Sequence, residues 1–320
     1  MHGIRVDADA LVWGPVEPVV AGPGEVTIAV AAAGVNRADL AQRAGQYPPP
    51  PGASPILGLE CSGTVDSVGP GVDPGWLGRP VCALLAGGGY AERVACPVGQ
   101  LLPVPDGVSL VDAAALPEAL CTAWMALSVV GRLGPGERVV WHAGASGVGT
   151  IAVQLCKAWG NPVFVTAGTP DKVARCVALG ADGGAARSDG PWEPAVRAWA
   201  PGGVDLIVDP VARGYLAADQ RSLAVDGRIV VLAVLGGAED TLDLGRLLVK
   251  RQTIAGTTLR SRSLVDKARI VAAVRDVCVP LVACGRIRPV IDAVFPLADA
   301  ELAHRRLASN ETVGKLILAL

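Results

Sequence analysis

Three observations predict an α/β chain with a doubly wound parallel sheet and a second, β-rich domain. A short apolar strand runs into a glycine-rich turn and a helix over 138–160, strand and helix segments alternate after it, and short apolar runs between Gly and Pro clusters precede it. Val139, Val140 and Trp141 form the apolar run of a strand covered on both faces. Gly144, Ser146, Gly147 and Gly149 then remove side-chain bulk, and a helix is expected from Thr150, with Ile151, Leu155 and Trp159 on one face and Gly160 as its stop. Gly147-Val148-Gly149-Thr-Ile-Ala152 fits the pattern G-x-G-x-x-G/A, which lets backbone amides and a helix N-terminus meet a pyrophosphate. In a chain with 40 glycines, an ordinary strand-to-helix turn is the competing reading of the same string.

A length of 320 residues allows about two domains. A net charge of −2, with basic residues interspersed among acids, argues against a nucleic-acid footprint and against a polybasic membrane anchor. The longest early apolar run, 28–35, is too short to span a bilayer, so a soluble chain is expected. Eight cysteines without a C-x-x-C suggest neither a disulfide framework nor a thiolate metal cage and fit a reducing cytoplasm.

In chain order, 25–30, 65–68, 81–85 and 90–94 read as short strands. Asn36-Arg-Ala-Asp39 reads as a helix entrance. The proline-rich stretch 45–52 must be an extended loop, which holds Tyr47 stiffly. Leu116, Leu120, Trp124 and Leu127 lie on one face of a helix expected over 112–131, which Gly134-Pro135-Gly136 ends. Strands are then expected at 162–166, 204–209, 228–232 and 252–256, a long helix at 264–284, and closing strands at 290–294 and 315–320.

Together the glycine turn, the β-rich N-terminal region and the Asn36-Arg-Ala-Asp39 turn resemble the medium-chain dehydrogenase/reductase superfamily, in its zinc-free quinone oxidoreductase (zeta-crystallin-like) family. The resemblance is nearest to the tumour-suppressor-inducible NADPH quinone reductases. Gly45-Gln-Tyr47, Pro49-Pro-Pro51-Gly-Ala-Ser54, Leu57-Gly-Leu-Glu60, His142-Ala-Gly144, Ser146-Gly-Val-Gly-Thr150, Thr166-Ala-Gly168, Leu179-Gly-Ala181, Leu259-Arg-Ser-Arg262 and Gly314-Lys315 carry it in order.

The resemblance implies the medium-chain dehydrogenase fold. A GroES-like catalytic domain, 1–117 with 258–320, wraps a Rossmann domain, 118–257, with cofactor and substrate in the cleft between them. It implies that Asn36 and Tyr47 line the nicotinamide end and act in catalysis. Ser146, Gly147, Val148 and Gly149 would take the pyrophosphate, Lys172 the adenosine phosphate, and Lys315 the cleft; Gly168, Thr169, Leu235 and Thr258 complete the cofactor set. Where that branch carries Tyr near the adenine, this chain has Arg187. The resemblance also implies a homodimer paired across the strand at 252–257.

Zinc-dependent relatives carry Gly-His-Glu where this chain reads Gly58-Leu59-Glu60, and leucine binds no metal, so no metal is expected. His142 at the strand end is expected to be structural. Without a metal, a quinone is the expected acceptor, since its own electron demand drives hydride addition and the protein orients and hydrogen-bonds it through Tyr47 or Asn36. An enone is the alternative, and an NADPH-binding sensor without turnover the third reading. NADPH is expected over NADH because 165–169 ends the second strand without a carboxylate, while Lys172 and Arg187 could flank a 2′-phosphate, with Thr166 or Thr169 donating hydrogen bonds.

Overall fold

Six parallel strands build the sheet that carries the glycine turn. In spatial order they are Gly183–Ala186, Val163–Ala167, Val139–Trp141, Val204–Asp209, Leu223–Val231 and Thr253–Gly256. The chain leaves Val139–Trp141 toward one edge and returns on its other side at Val204–Asp209, which makes the turn after Trp141 the topological switch point of the sheet. This sheet lies in a unit formed by Thr122–Leu259 and Arg286–Arg288. The structure, a computed structural model, describes residues 1–320 except Asp9.

Several elements begin elsewhere than periodicity predicts. The helix after the turn runs Gly147–Trp159 rather than starting at Thr150, because the Ser146 hydroxyl accepts the Gly149 N–H and caps it three residues earlier. The helix expected over 112–131 divides into Leu110–Ala113, Pro117–Trp124 and a π-helical segment, Met125–Val130. Pro117 has no N–H to continue the first turn and suits the start of the second. The strand Leu223–Val231 starts earlier than 228, and Gly183–Ala186 is all Gly and Ala, so it gives no apolar signal. The stretch 110–130 is apolar and long enough to cross a membrane, but most of it is buried, as in a core helix.

The other unit joins Met1–Cys121, Arg260–Gly285 and Pro289–Leu320. Its seven-stranded sheet runs Ile291–Pro296, Lys315–Ala319, Glu25–Val35, Glu60–Val68, Pro80–Leu84 and Leu101–Pro103, with Arg93–Pro97 also paired to Glu25–Val35. A hairpin of His2–Asp7 and Ala10–Pro15 precedes it. Ile4, Val26, Ile28, Leu57, Tyr90, Leu316 and Leu318 are buried in its core. The strand at Glu60–Val68 is longer than 65–68 because its first half, Glu60-Cys-Ser-Gly63, is buried without being apolar in alternation. All eight cysteines are free, and all but Cys284 are buried. Burial pushes the Cys82 and Cys156 thiols up to about 12, so they pack as small hydrophobes.

Candidate functional site

The glycine turn is shaped by close backbone approach. Ala143 takes a left-handed φ of 54°, and Gly144 then passes so near the second strand that a Cβ there would stand 2.6 Å from the Val165 Cβ. A Cβ on Gly149 would meet the Gly144 carbonyl oxygen at 2.6 Å. The result is an open helix N-terminus with Ser146 exposed and Gly147 and Val148 half-exposed, a cradle that any added side chain would fill.

The other expected cofactor residues of this unit gather at the same edge, the carboxyl ends of the parallel strands. Gly168 and Thr169 follow Val163–Ala167, Arg187 follows Gly183–Ala186, Leu235 follows Leu223–Val231, and Thr258 follows Thr253–Gly256. The Arg187 guanidinium extends over Gly168, where a Cβ would lie 4.0 Å from its Nη2. Thr169 caps the helix Pro170–Ala178 by accepting from the Lys172 N–H, which places Lys172 in the first turn. Thr166 does not serve as a phosphate donor: its hydroxyl is buried and bonded to His142 Nδ1 at 2.9 Å. His142 is fully enclosed, with Nε2 2.8 Å from Asp219, and holds the strand end together. Tyr215, which sequence reasoning passed over, lies beside Arg187, supplying an aromatic at this edge.

In the β-rich unit, antiparallel pairing of Leu316 with Val35 brings Lys315 beside Asn36, residues 279 positions apart. The Lys315 ammonium donates to Asn36 Oδ1 at 2.6 Å and forms an ion pair with Glu60. Asn36 Nδ2 donates to Glu60 Oε1 at 2.9 Å and more weakly to the Gly34 carbonyl at 3.4 Å, so both amide hydrogens are engaged. Glu60 Oε2 accepts the Glu118 N–H, and a Cβ on Gly34 would overlap the Glu60 carboxylate.

Beneath this group Asp39 is fully buried, accepting from the Asn36 and Gly58 amides and the Tyr90 hydroxyl; burial pushes its carboxyl up to about 6. Asn36 is thus clamped through side chain and backbone. Tyr47 is held differently: the Arg260 guanidinium lies 5.2 Å from its ring centroid and donates to its carbonyl at 3.1 Å, and it also bonds Gln42 and the Ala86 carbonyl. Glu60, Asp39 and Arg260 are positioning residues that no local spacing pointed to as a site.

These residues do not fit zinc. Leu59, 2% exposed, offers no donor atom, and no group of three or more His, Cys, Asp or Glu is placed to hold a metal among the described residues. A dinucleotide fits: the cradle of Gly144 and Gly149, the capped helix start and the cations at the strand ends supply the groups that phosphates need.

A doubly wound sheet with such a turn, joined in one chain to a β-rich domain, defines a class of nucleotide-dependent oxidoreductase. Residues 22–106 match the alcohol dehydrogenase GroES-like domain and 147–273 the zinc-binding dehydrogenase family. The chain is 32% identical to the quinone oxidoreductase of Thermus thermophilus, solved also with NADPH, over the full length of both (TM-score 0.84). An NAD-dependent alcohol dehydrogenase structure aligns over all of both chains at 30% identity and a TM-score of 0.87. The spectinabilin polyketide synthase protein NorB of Streptomyces orinoci is 35% identical over 98% of this chain, which spans only 14% of that protein. The chain belongs to the medium-chain dehydrogenase/reductase superfamily and is an oxidoreductase of that fold.

Proposed function

We propose that the chain uses NADPH to reduce a quinone, as a zinc-independent reductase akin to the zeta-crystallin-like family and its tumour-suppressor-inducible branch. The observation that carries this reading is the full-length likeness to a quinone oxidoreductase solved with NADPH. The donor set agrees, since Leu59 leaves no metal to polarise an ordinary ketone, and a quinone needs little polarisation.

When bound, the cofactor supplies the hydride. Ser146, Gly147, Val148 and Gly149 seat its pyrophosphate, while Lys172 and Arg187 favour a 2′-phosphate at a strand end without a carboxylate; Gly168, Thr169, Leu235 and Thr258 line the rest. Asn36 is locked by Lys315 and Glu60, both of its amide hydrogens committed, so it shapes the nicotinamide end. The Tyr47 hydroxyl is then the donor for the acceptor oxygen.

NADPH consumption with a panel of quinones and enones tests this: turnover of a quinone is expected, and binding without turnover of any acceptor would leave only a sensor. Reduction of an enone is the second reading, favoured by the match to a polyketide synthase over 98% of this chain. A higher kcat/KM for enones than for quinones would establish it. We also propose a homodimer, because Thr253–Gly256 is an edge strand and Leu244, Leu248 and Val249 of the helix before it are exposed. A monomer mass in sedimentation at micromolar concentration would refute that.

A further inference from the structure

The β-rich unit contains a cavity of about 520 Å³ that none of Asn36, Tyr47, Glu60 or Lys315 lines. Its size is that of small-molecule sites, about 300–1,000 Å³. Lys267 and Gln100 both line it, and each residue is only 3% exposed. Lys267 stands in the first turn of the helix Leu264–Ala283, and Gln100 ends the 3-10 turn Val98–Gln100 on which that helix packs. Their approach depends on Gly99, where a Cβ would stand 2.9 Å from the Ala268 Cβ.

Neither the Lys267 ammonium nor the Gln100 amide has a hydrogen-bond or ion-pair partner among the described residues. Among the described residues, fully enclosed side-chain nitrogen and oxygen atoms without partners are confined to Asp219 Oδ2 and His304 Nδ1, so both side chains keep access to the cavity. Arg262 and Met1 also line the wall, and three of its other charged side chains are engaged elsewhere. Arg93 pairs with Asp66, Arg260 bonds Ala86, Tyr47 and Gln42, and the lone lining carboxylate, Glu25, accepts from Gly22. Glu118, the carboxylate that Lys267 feels most, makes no ion pair with it, and burial holds the Lys267 ammonium below its ordinary pKa. A lysine in a helix's first turn also opposes the helix dipole. A buried ammonium without a hydrogen bond or ion pair, at the positive end of a helix and within only the longer-range field of Glu118, is favourably placed to receive an anion.

We propose that this cavity binds a small organic carboxylate, whose oxygens accept from Lys267 and Gln100 while its apolar body lies against Ile56, Leu85 and Val94. One cation and one neutral donor match a singly charged carboxylate, and the apolar wall matches its organic body, whereas phosphate brings a second charge and no apolar part.

Calorimetric titration of the full chain with benzoate, benzamide and inorganic phosphate tests this without any turnover. Saturable binding of benzoate and none of benzamide is expected. Binding should weaken at least about tenfold in Lys267→Met and several-fold in Gln100→Leu, the loss of a charged and a neutral hydrogen bond respectively. The Tm of the parent should rise with benzoate, and that rise should vanish in Lys267→Met. Lys267→Met removes an unpaired buried charge and should fold; if it does not, Gln100→Leu carries the comparison. Failure of benzoate to bind the parent, unchanged binding in the variants, or tighter binding of phosphate than of benzoate would overturn the assignment.

Discussion

The glycine turn at 144–149 and the cluster around Asn36 are built by opposite means. The turn works by what is missing: side chains are absent so that the backbone can approach Val165 and leave a helix start open. The Asn36 cluster works by what is packed in, with Lys315, Glu60 and Asp39 buried around one amide. A site of the first kind is damaged by adding an atom, and one of the second by removing a partner. The costs should differ accordingly, because overpacking can relax whereas a buried charge left alone cannot.

The largest effect is expected from Lys315→Met, which strands the Glu60 carboxylate and should cost about 3–5 kcal/mol in urea unfolding. A loss below about 1 kcal/mol would mean that Glu60 takes up a proton or finds solvent, and that the cluster is not held by charge. Next comes the pH response of Asp39. Its pKa rises from an ordinary 3.8 to about 6 in the fold, so the stability it contributes is present below pH 4 and is lost as pH rises through 6. At about 1.4 kcal/mol per unit, the stability of the parent relative to Asp39→Asn should fall by about 2 kcal/mol between pH 4 and 7. A pH-independent difference between the two chains would contradict this.

Gly149→Ala should be milder for the fold, about 1–3 kcal/mol as an overpacking term, yet severe for NADPH binding. If stability falls while affinity is kept, the turn does not seat the pyrophosphate. Lys172→Ala is expected to lower the ratio of kcat/KM with NADPH to that with NADH by about tenfold, equivalent to roughly 1.4 kcal/mol; a parent that prefers NADH would remove the charge argument at the outset. The smallest change is Tyr47→Phe, a several-fold drop in quinone turnover with NADPH affinity unchanged, measured in steady state. Equal rates would reduce Tyr47 to a ring packed under Arg260.

How far each region was legible follows from the same contrast. The turn could be read because its residues are contiguous: strand, glycines and helix succeed one another within 138–160. Even there, the true helix start at Gly147 depended on the Ser146 side chain turning to cap Gly149. Asn36, Tyr47 and Lys315 were reached through family resemblance, whereas their partners Glu60, Asp39 and Arg260 stood only inside the resembling segments and were given no role at the site. The strands Gly183–Ala186 and 60–64 also escaped periodicity, since small and polar residues buried in a sheet leave no apolar alternation.

By itself the sequence determined the doubly wound sheet, the glycine turn and its dinucleotide pattern, and the absence of a carboxylate at the end of the second strand. Each is a local matter of spacing and side-chain size over a few residues. Tertiary structure alone decided which polar groups meet. Lys315 reaches Asn36 through the register of Lys315–Ala319 on Glu25–Val35, Thr166 is turned from a phosphate by His142, and Lys267 comes to Gln100 where a helix packs on Gly99. Those outcomes depend on register and packing between segments remote in sequence, and for Lys315 and Thr166 a one-residue change of strand pairing would send the side chain to the opposite face.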